Sequence, residues 1–191
     1  MSPLHPARLL APAALVAATL APAMAGQQAQ QYGTIFFKTN VGSFKILGVS
    51  DRPAEGKLTI SFSGTLLINQ KTLDDPKVTA SGNLRKEYSN PKRLQEAYHG
   101  TGTLVIQGHY PSIQWFGRNM SAQWNGFGIA RLVGEFDKDL NTGKYWYIQN
   151  TADVKDWGTQ MLAITNPPKP DDFKQIPQAR GATTSGGTTG K

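Results

Sequence analysis

Residues 58–68 read Leu58-Thr59-Ile60-Ser61-Phe62-Ser63-Gly64-Thr65-Leu66-Leu67-Ile68. Leu58, Ile60, Phe62, Leu66 and Ile68 alternate with the hydroxyl side chains of Thr59, Ser61, Ser63 and Thr65. Successive side chains on a strand point to opposite faces, so this period of two places five apolar groups on one face and wets the other. Gly64 has no side chain to pack and marks a bulge or bend within the strand.

The same alternation recurs on either side. Leu104 and Ile106 alternate with Thr101, Thr103 and Gln107, and Ala130, Leu132 and Phe136 with Arg131 and Glu135. Strands with one wet face are the mark of antiparallel sheets. Asn40-Val41-Gly42, between TIFFKT and SFKILGV, and Asn141-Thr142-Gly143, between RLVGEFDKDL and KYWYIQ, each predict a hairpin with glycine in the left-handed position. Further breaks fall at 51–56, 74–77, 89–92 and Tyr110-Pro111, and no helical period is sustained before Asp153, where a short helix or turn is expected as far as Leu162. The strings GTLLI, GNLRK, GTLVI and GIARL begin at Gly64, Gly82, Gly102 and Gly128, at intervals of 18, 20 and 26. A solenoid needs a near-constant repeat, so these read instead as successive strands of a meander whose glycines let the sheet curl. The expected fold is all-β: a single domain of eight to ten antiparallel strands forming a curled sheet, sandwich or small barrel.

The chain has 191 residues, of which 39% are hydrophobic and 17% charged, enough apolar content for one packed core. With no Cys, a disulfide scaffold and a Cys-ligated metal are excluded. Residues 1–25 carry one charge, Arg8, followed by an apolar run broken by Pro12 and Pro22 and closed by Ala23-Met24-Ala25, the pattern of a cleavable signal peptide. No later segment reaches the roughly 20 apolar residues of a transmembrane helix, so a secreted or periplasmic product without a transmembrane segment is expected. The β domain is assigned to 26–165. Residues 166–191 contain four Pro and four Gly, too little apolar material to offset ordering, and are expected to form a disordered tail. Lys plus Arg number 20 against 13 Asp plus Glu; subtracting Arg8 and the tail's four basic and two acidic residues leaves 15 against 11, or +4, on the domain.

No GxSxG elbow, HExxH helix or phosphate-binding loop is present, which leaves an enzyme no recognisable machinery. His99 and His109 fall on what reads as one strand, about 34 Å apart if extended, and are read as surface or strand-end histidines. Asp137, Asp139 and Asn141 have the spacing of the opening ligands of a calcium loop, but the glycine comes one residue late and no acid sits twelfth. A polar hairpin arm explains them, and neither metal nor cofactor is expected.

Two features suit binding. Arg85, Lys86, Lys92 and Arg93 flank Ser89-Asn90-Pro91, a turn predicted to gather both pairs at one end of a hairpin. Residues 113–147 hold Trp115, Phe116, Trp124, Phe127, Phe136, Tyr145, Trp146 and Tyr147, a density that fits either a core or an aromatic binding face. Alternation sets Trp146 opposite Tyr145 and Tyr147, and the exposed set is taken as Tyr145 and Tyr147, with Trp115. The expected function is a non-catalytic exported domain that binds an anionic glycan or lipid surface of the cell envelope through Arg85, Lys86, Lys92, Arg93, Trp115, Tyr145 and Tyr147. Nucleic acid is not expected as a partner of an exported chain. A self-assembling envelope protein is the alternative, and a small-barrel enzyme the third reading.

Overall fold

A computed structural model describes residues 32–168; the leader, and the tail beyond Pro168, lie outside the described residues. Eight strands follow in order: β1 Gly33–Leu47, β2 Ala54–Asn69, β3 Lys77–Asn90, β4 Gln95–Tyr110, β5 Ser112–Val133, β6 Lys144–Tyr147, β7 Asn150–Asp156 and β8 Leu162–Asn166. A single 3-10 turn, Pro91–Arg93, joins β3 to β4. The strands form one nearly all-antiparallel sheet in the order β3-β4-β2-β5-β1-β6-β7, with β8 on β5, and the sheet is not closed into a barrel. The fold is therefore all-β and curled, as expected, but not a meander: β4 returns past β3 to pair with β2, and β5 enters between β2 and β1. Among the described residues no helix is long and apolar enough to cross a membrane.

The sheet doubles back on itself. Ser43 lies opposite both Phe116 and Val133, and Leu47 opposite both Ser112 and Ile129, so the two ends of the 22-residue β5 flank the same stretch of β1. An extended strand of that length would run about 70 Å. The crease leaves its trace in the burial pattern. In β1 the inward residues are Ile35, Phe37 and Thr39, then Phe44 and Ile46; in β5 they are Ile113 and Trp115, then Met120, Ala122 and Trp124. Inward parity thus switches at Asn40–Gly42 and again at Gly117–Asn119, where Asn119 takes a left-handed φ of 50°.

Four glycines, Gly42, Gly117, Gly64 and Gly100, stand in register across β1, β5, β2 and β4 at this crease. At Gly64 φ is +142°, and an added Cβ would stand 2.4 Å from the carbonyl oxygen of Phe116, so only glycine lets the strands approach and turn here. The bend expected at Gly64 is this fold line. β2 keeps one parity through it because β5 supplies the extra residue, the register slipping between Ser61 and Ser63.

The core fills the space inside the fold. Leu58, Ile60, Phe62, Leu66, Ile68, Leu104, Ile106, Ala130 and Leu132 are all buried, as their alternation requires. Trp157 closes the crease, with its indole N–H donating to the Lys144 carbonyl at 2.8 Å and its ring edge-on to Phe37.

Three expectations are corrected. Asn40-Val41-Gly42 is no hairpin but the crease within one strand, because β5 bends alongside and pairing continues from Thr39 opposite Met120 to Val41 opposite Arg118. Phe136 is 92% exposed, since β5 ends at Val133 and the Gly134 N–H turns away to the Gly158 carbonyl at 3.1 Å. The segment from Asp153 to Leu162 is not helical: β7 ends at Asp156 after pairing with β6, and β8 begins at Leu162.

Candidate functional site

The register of β6 decides which aromatic face is exposed. Tyr147 pairs with Ile35, Trp146 with Phe36 and Tyr145 with Phe37. Ile35 and Phe37 point inward, so Tyr145 and Tyr147 are carried into the core beside them, and Tyr147 donates its hydroxyl to the Thr165 carbonyl at 2.8 Å. Trp115 is fully buried and stacks on Phe44 at 5.8 Å. None of the three presents a ring to solvent. The outward member is Trp146, stacked on Phe36 at 5.3 Å and 9°. Each ring spends one face on the other, the ordinary gain of a cross-strand aromatic pair.

The predicted basic turn exists as a β3–β4 hairpin. Asn90 caps it by accepting the Arg93 N–H at 3.1 Å, and Leu94 takes the left-handed position at its end. The four cations do not converge. Arg85 lies opposite His99 and Lys86 opposite Tyr98, so the two neighbours project from opposite faces of β3. Lys86 is held by Glu96 at 2.8 Å, and this hydrogen-bonded carboxylate raises its pKa above the usual lysine value. Lys92 and Arg93 sit alone at the tip, past the end of β3 at Asn90, which is itself five residues, or about 17 Å of extended strand, beyond Arg85.

A broader positive surface emerges on the outward face of the four central strands, β4, β2, β5 and β1. Lys38, Lys57 and Arg118 stand at outward positions of one leaf of the folded sheet, Lys45 and Arg131 at outward positions of the other, and none makes an ion pair among the described residues. The carboxylates on these strands are Glu55 and Glu96, and both are already bound to cations. Between the cations run hydroxyls bonded across strands: Ser61 to Thr103 at 2.7 Å, Thr101 to Ser63 at 2.9 Å, and Thr65 to the His99 ring at 2.8 Å.

At one end of this face lies a chain of charged groups that no sequence feature announced. The Asp75 carboxylate accepts both the backbone N–H of His109, at 2.8 Å, and its ring Nδ1–H, at 2.9 Å. On the other side of the ring Nε2 lies 3.0 Å from Glu55 Oε2, and Glu55 Oε1 is bound by Arg52. Arg52 in turn covers the Phe127 ring at 3.8 Å. Both nitrogens are therefore committed, which makes His109 a tie between two carboxylates rather than a ring with a free lone pair to take a proton from substrate. The four residues come from the turn before β2, β2 itself, the loop after it and the end of β4, so no spacing rule joins them; the alternation of β2 and β4 was the one available hint.

Beside this tie, Tyr32, Lys57, Gln107, Asn125, Glu55 and His109 line a pocket of about 250 Å3. Metal chemistry finds no support in the acidic loop before β6. The Asp137 carboxylate accepts the Asp139 N–H at 2.9 Å, the Asn141 side chain accepts the Gly143 N–H at 3.1 Å, and no metal-binding cluster occurs among the described residues. No protein-family model, curated protein or solved structure matches this chain.

Proposed function

We propose that this protein is an exported, non-catalytic domain that binds an anionic polysaccharide of the cell envelope or its surroundings. The observation that carries the reading is the outward face of β4, β2, β5 and β1, where five cations stand free of any carboxylate. Export is supported by the Ala-rich leader pattern closed by Ala23-Met24-Ala25. A glycan fits better than a lipid surface because the positions between the cations are mostly Thr, Ser, Asn and Gln, which offer hydrogen bonds to sugar hydroxyls, while the exposed apolar side chains among them, Phe116 and Val41, are too few to enter a bilayer. The site differs from the one expected from sequence: the buried Trp115, Tyr145 and Tyr147 leave it, while Arg85, Lys92 and Arg93 remain as peripheral cations.

Retention on an immobilised anionic polysaccharide at low salt tests this. The combined variant Lys38→Gln, Lys45→Gln, Arg118→Gln and Arg131→Gln is expected to lose most retention, whereas Lys92→Gln with Arg93→Gln keeps it. Binding by the native protein should fade as salt shortens the screening length from about 10 Å at 0.1 M to about 3 Å at 1 M. The reverse ranking of the two variants, or retention indifferent to salt, overturns the reading.

A second reading is favoured by β3, whose outer edge has no partner strand among the described residues and whose residues are mostly exposed along its 14 positions. Free strand edges add to one another. A self-assembling protein would show concentration-dependent growth in size-exclusion chromatography without ligand, and the glycan-binding reading expects none.

A further inference from the structure

We infer that the pocket beside the His109 tie takes one carboxylated sugar, a uronic acid residue, of the bound polymer. The inference rests on the polysaccharide reading above and assigns it a specific subsite. Lys57 stands directly opposite Gln107 of β4 on one side and Asn125 of β5 on the other, so an ammonium lies between two carboxamides in a row across three strands. Paired residues on neighbouring strands hold their Cβ atoms about 5 Å apart, so the row spans about 10 Å, the width of a pyranose ring with its substituents.

The charges of the pocket are unequal in availability. Glu55, only 6% exposed, is fully engaged by Arg52 and His109, and His109 by Glu55 and Asp75. Glu55 is thus held by Arg52 and His109, and Asp75 by His109, so these groups are already partnered before any ligand arrives. Lys57 is left as the one unpaired charge of the pocket, a point charge with three donors suited to a single carboxylate. Asn125 spends an amide hydrogen on Thr34 Oγ1 at 2.7 Å and keeps its carbonyl oxygen for a sugar hydroxyl. Gln107 offers both amide functions. Tyr32, at the entry to β1 and 45% exposed, supplies an aromatic ring for the apolar C–H face of a pyranose. A volume of about 250 Å3 is room enough for a sugar unit.

Two-dimensional amide spectra of the labelled protein, titrated with a glucuronic-acid-containing disaccharide and with its carboxyl-reduced counterpart, decide the matter. The expected result is movement of the Gly56, Lys57, Gln107, Gly108 and Asn125 amides, with affinity falling about tenfold on carboxyl reduction and about tenfold for Lys57→Gln, as loss of one charge-assisted hydrogen bond implies. Tyr32→Ala should weaken both sugars alike, which separates stacking from charge. Unmoved amides, or equal affinity for the acidic and the reduced sugar, overturn the assignment. Polymer retention that persists while these amides stay still removes the pocket and leaves the broader face. Pocket shifts without polymer retention do the opposite.

Discussion

Phe37 and Phe44 belong to one strand, seven residues apart, and their rings stack with centroids 5.8 Å from each other. On a straight strand they would be about 23 Å apart and on opposite faces. Their contact is the fold line of the sheet made visible in one pair: β1 turns at Asn40–Gly42, switches parity and brings its second half over its first.

Phe62 sits at the same crease on β2 and is 2% exposed. Phe62→Ala is expected to cost about 3 to 5 kcal/mol in chemical denaturation, the transfer loss of the ring plus the cavity left inside the fold. A loss below about 1 kcal/mol would mean that the crease collapses around the gap and that the packing there is loose.

Gly64→Ala tests the fold line itself. The new methyl meets backbone at 2.4 Å with φ at +142°, so neither a rotamer change nor a side-chain shift relieves it. A destabilisation above about 2 kcal/mol is expected, against about 1 kcal/mol for Gly158→Ala, whose φ is +74° but whose added Cβ would meet nothing within 4 Å. Equal losses at the two sites would show that φ strain alone, and not close approach of strands, sets the requirement.

Legibility from sequence followed the crease. In β2 every inward residue keeps even parity, so the pattern from Leu58 to Ile68 announced its strand and its face. In β1 and β5 the parity switch splits the pattern in two, and the break at Asn40-Val41-Gly42 looks locally like a hairpin. Tyr145 and Tyr147 were legible as sharing one face, but which face is buried depends on pairing with Ile35 and Phe37 more than a hundred residues away, which local alternation does not contain. Arg52, Glu55, Asp75 and His109 were beyond reach for the same reason.

The Glu55 and His109 pair should behave as a coupled unit. In a double-mutant cycle with Glu55→Gln and His109→Gln, a coupling energy of about 1 to 3 kcal/mol is expected, since the carboxylate is nearly buried and its loss leaves Arg52 without its carboxylate and the ring with Asp75 alone. The exposed Lys144 and Asp156 pair serves as control and should couple by less than about 0.5 kcal/mol. Additive losses at Glu55 and His109 would reduce the tie to a chance contact.

Millimolar calcium should leave the melting temperature unchanged. One carboxylate oxygen of Asp137 and the amide oxygen of Asn141 already accept backbone N–H groups of their own turn, and calcium needs six to eight oxygens, more than this loop brings together. A rise of several degrees that Asp137→Ala abolishes would reverse that conclusion.

Because both neighbours of residues 43–47 are supplied by β5, the order of synthesis matters to this chain. β1 is made first, yet its first neighbour in β5 begins only at Ser112, and residues 43–47 gain their second neighbour only once Ile129–Val133 has been made. Few contacts are local, so the search is slow and the nascent chain carries naked apolar strands through most of its translation. A polypeptide built this way stays open and threadable until late in its synthesis.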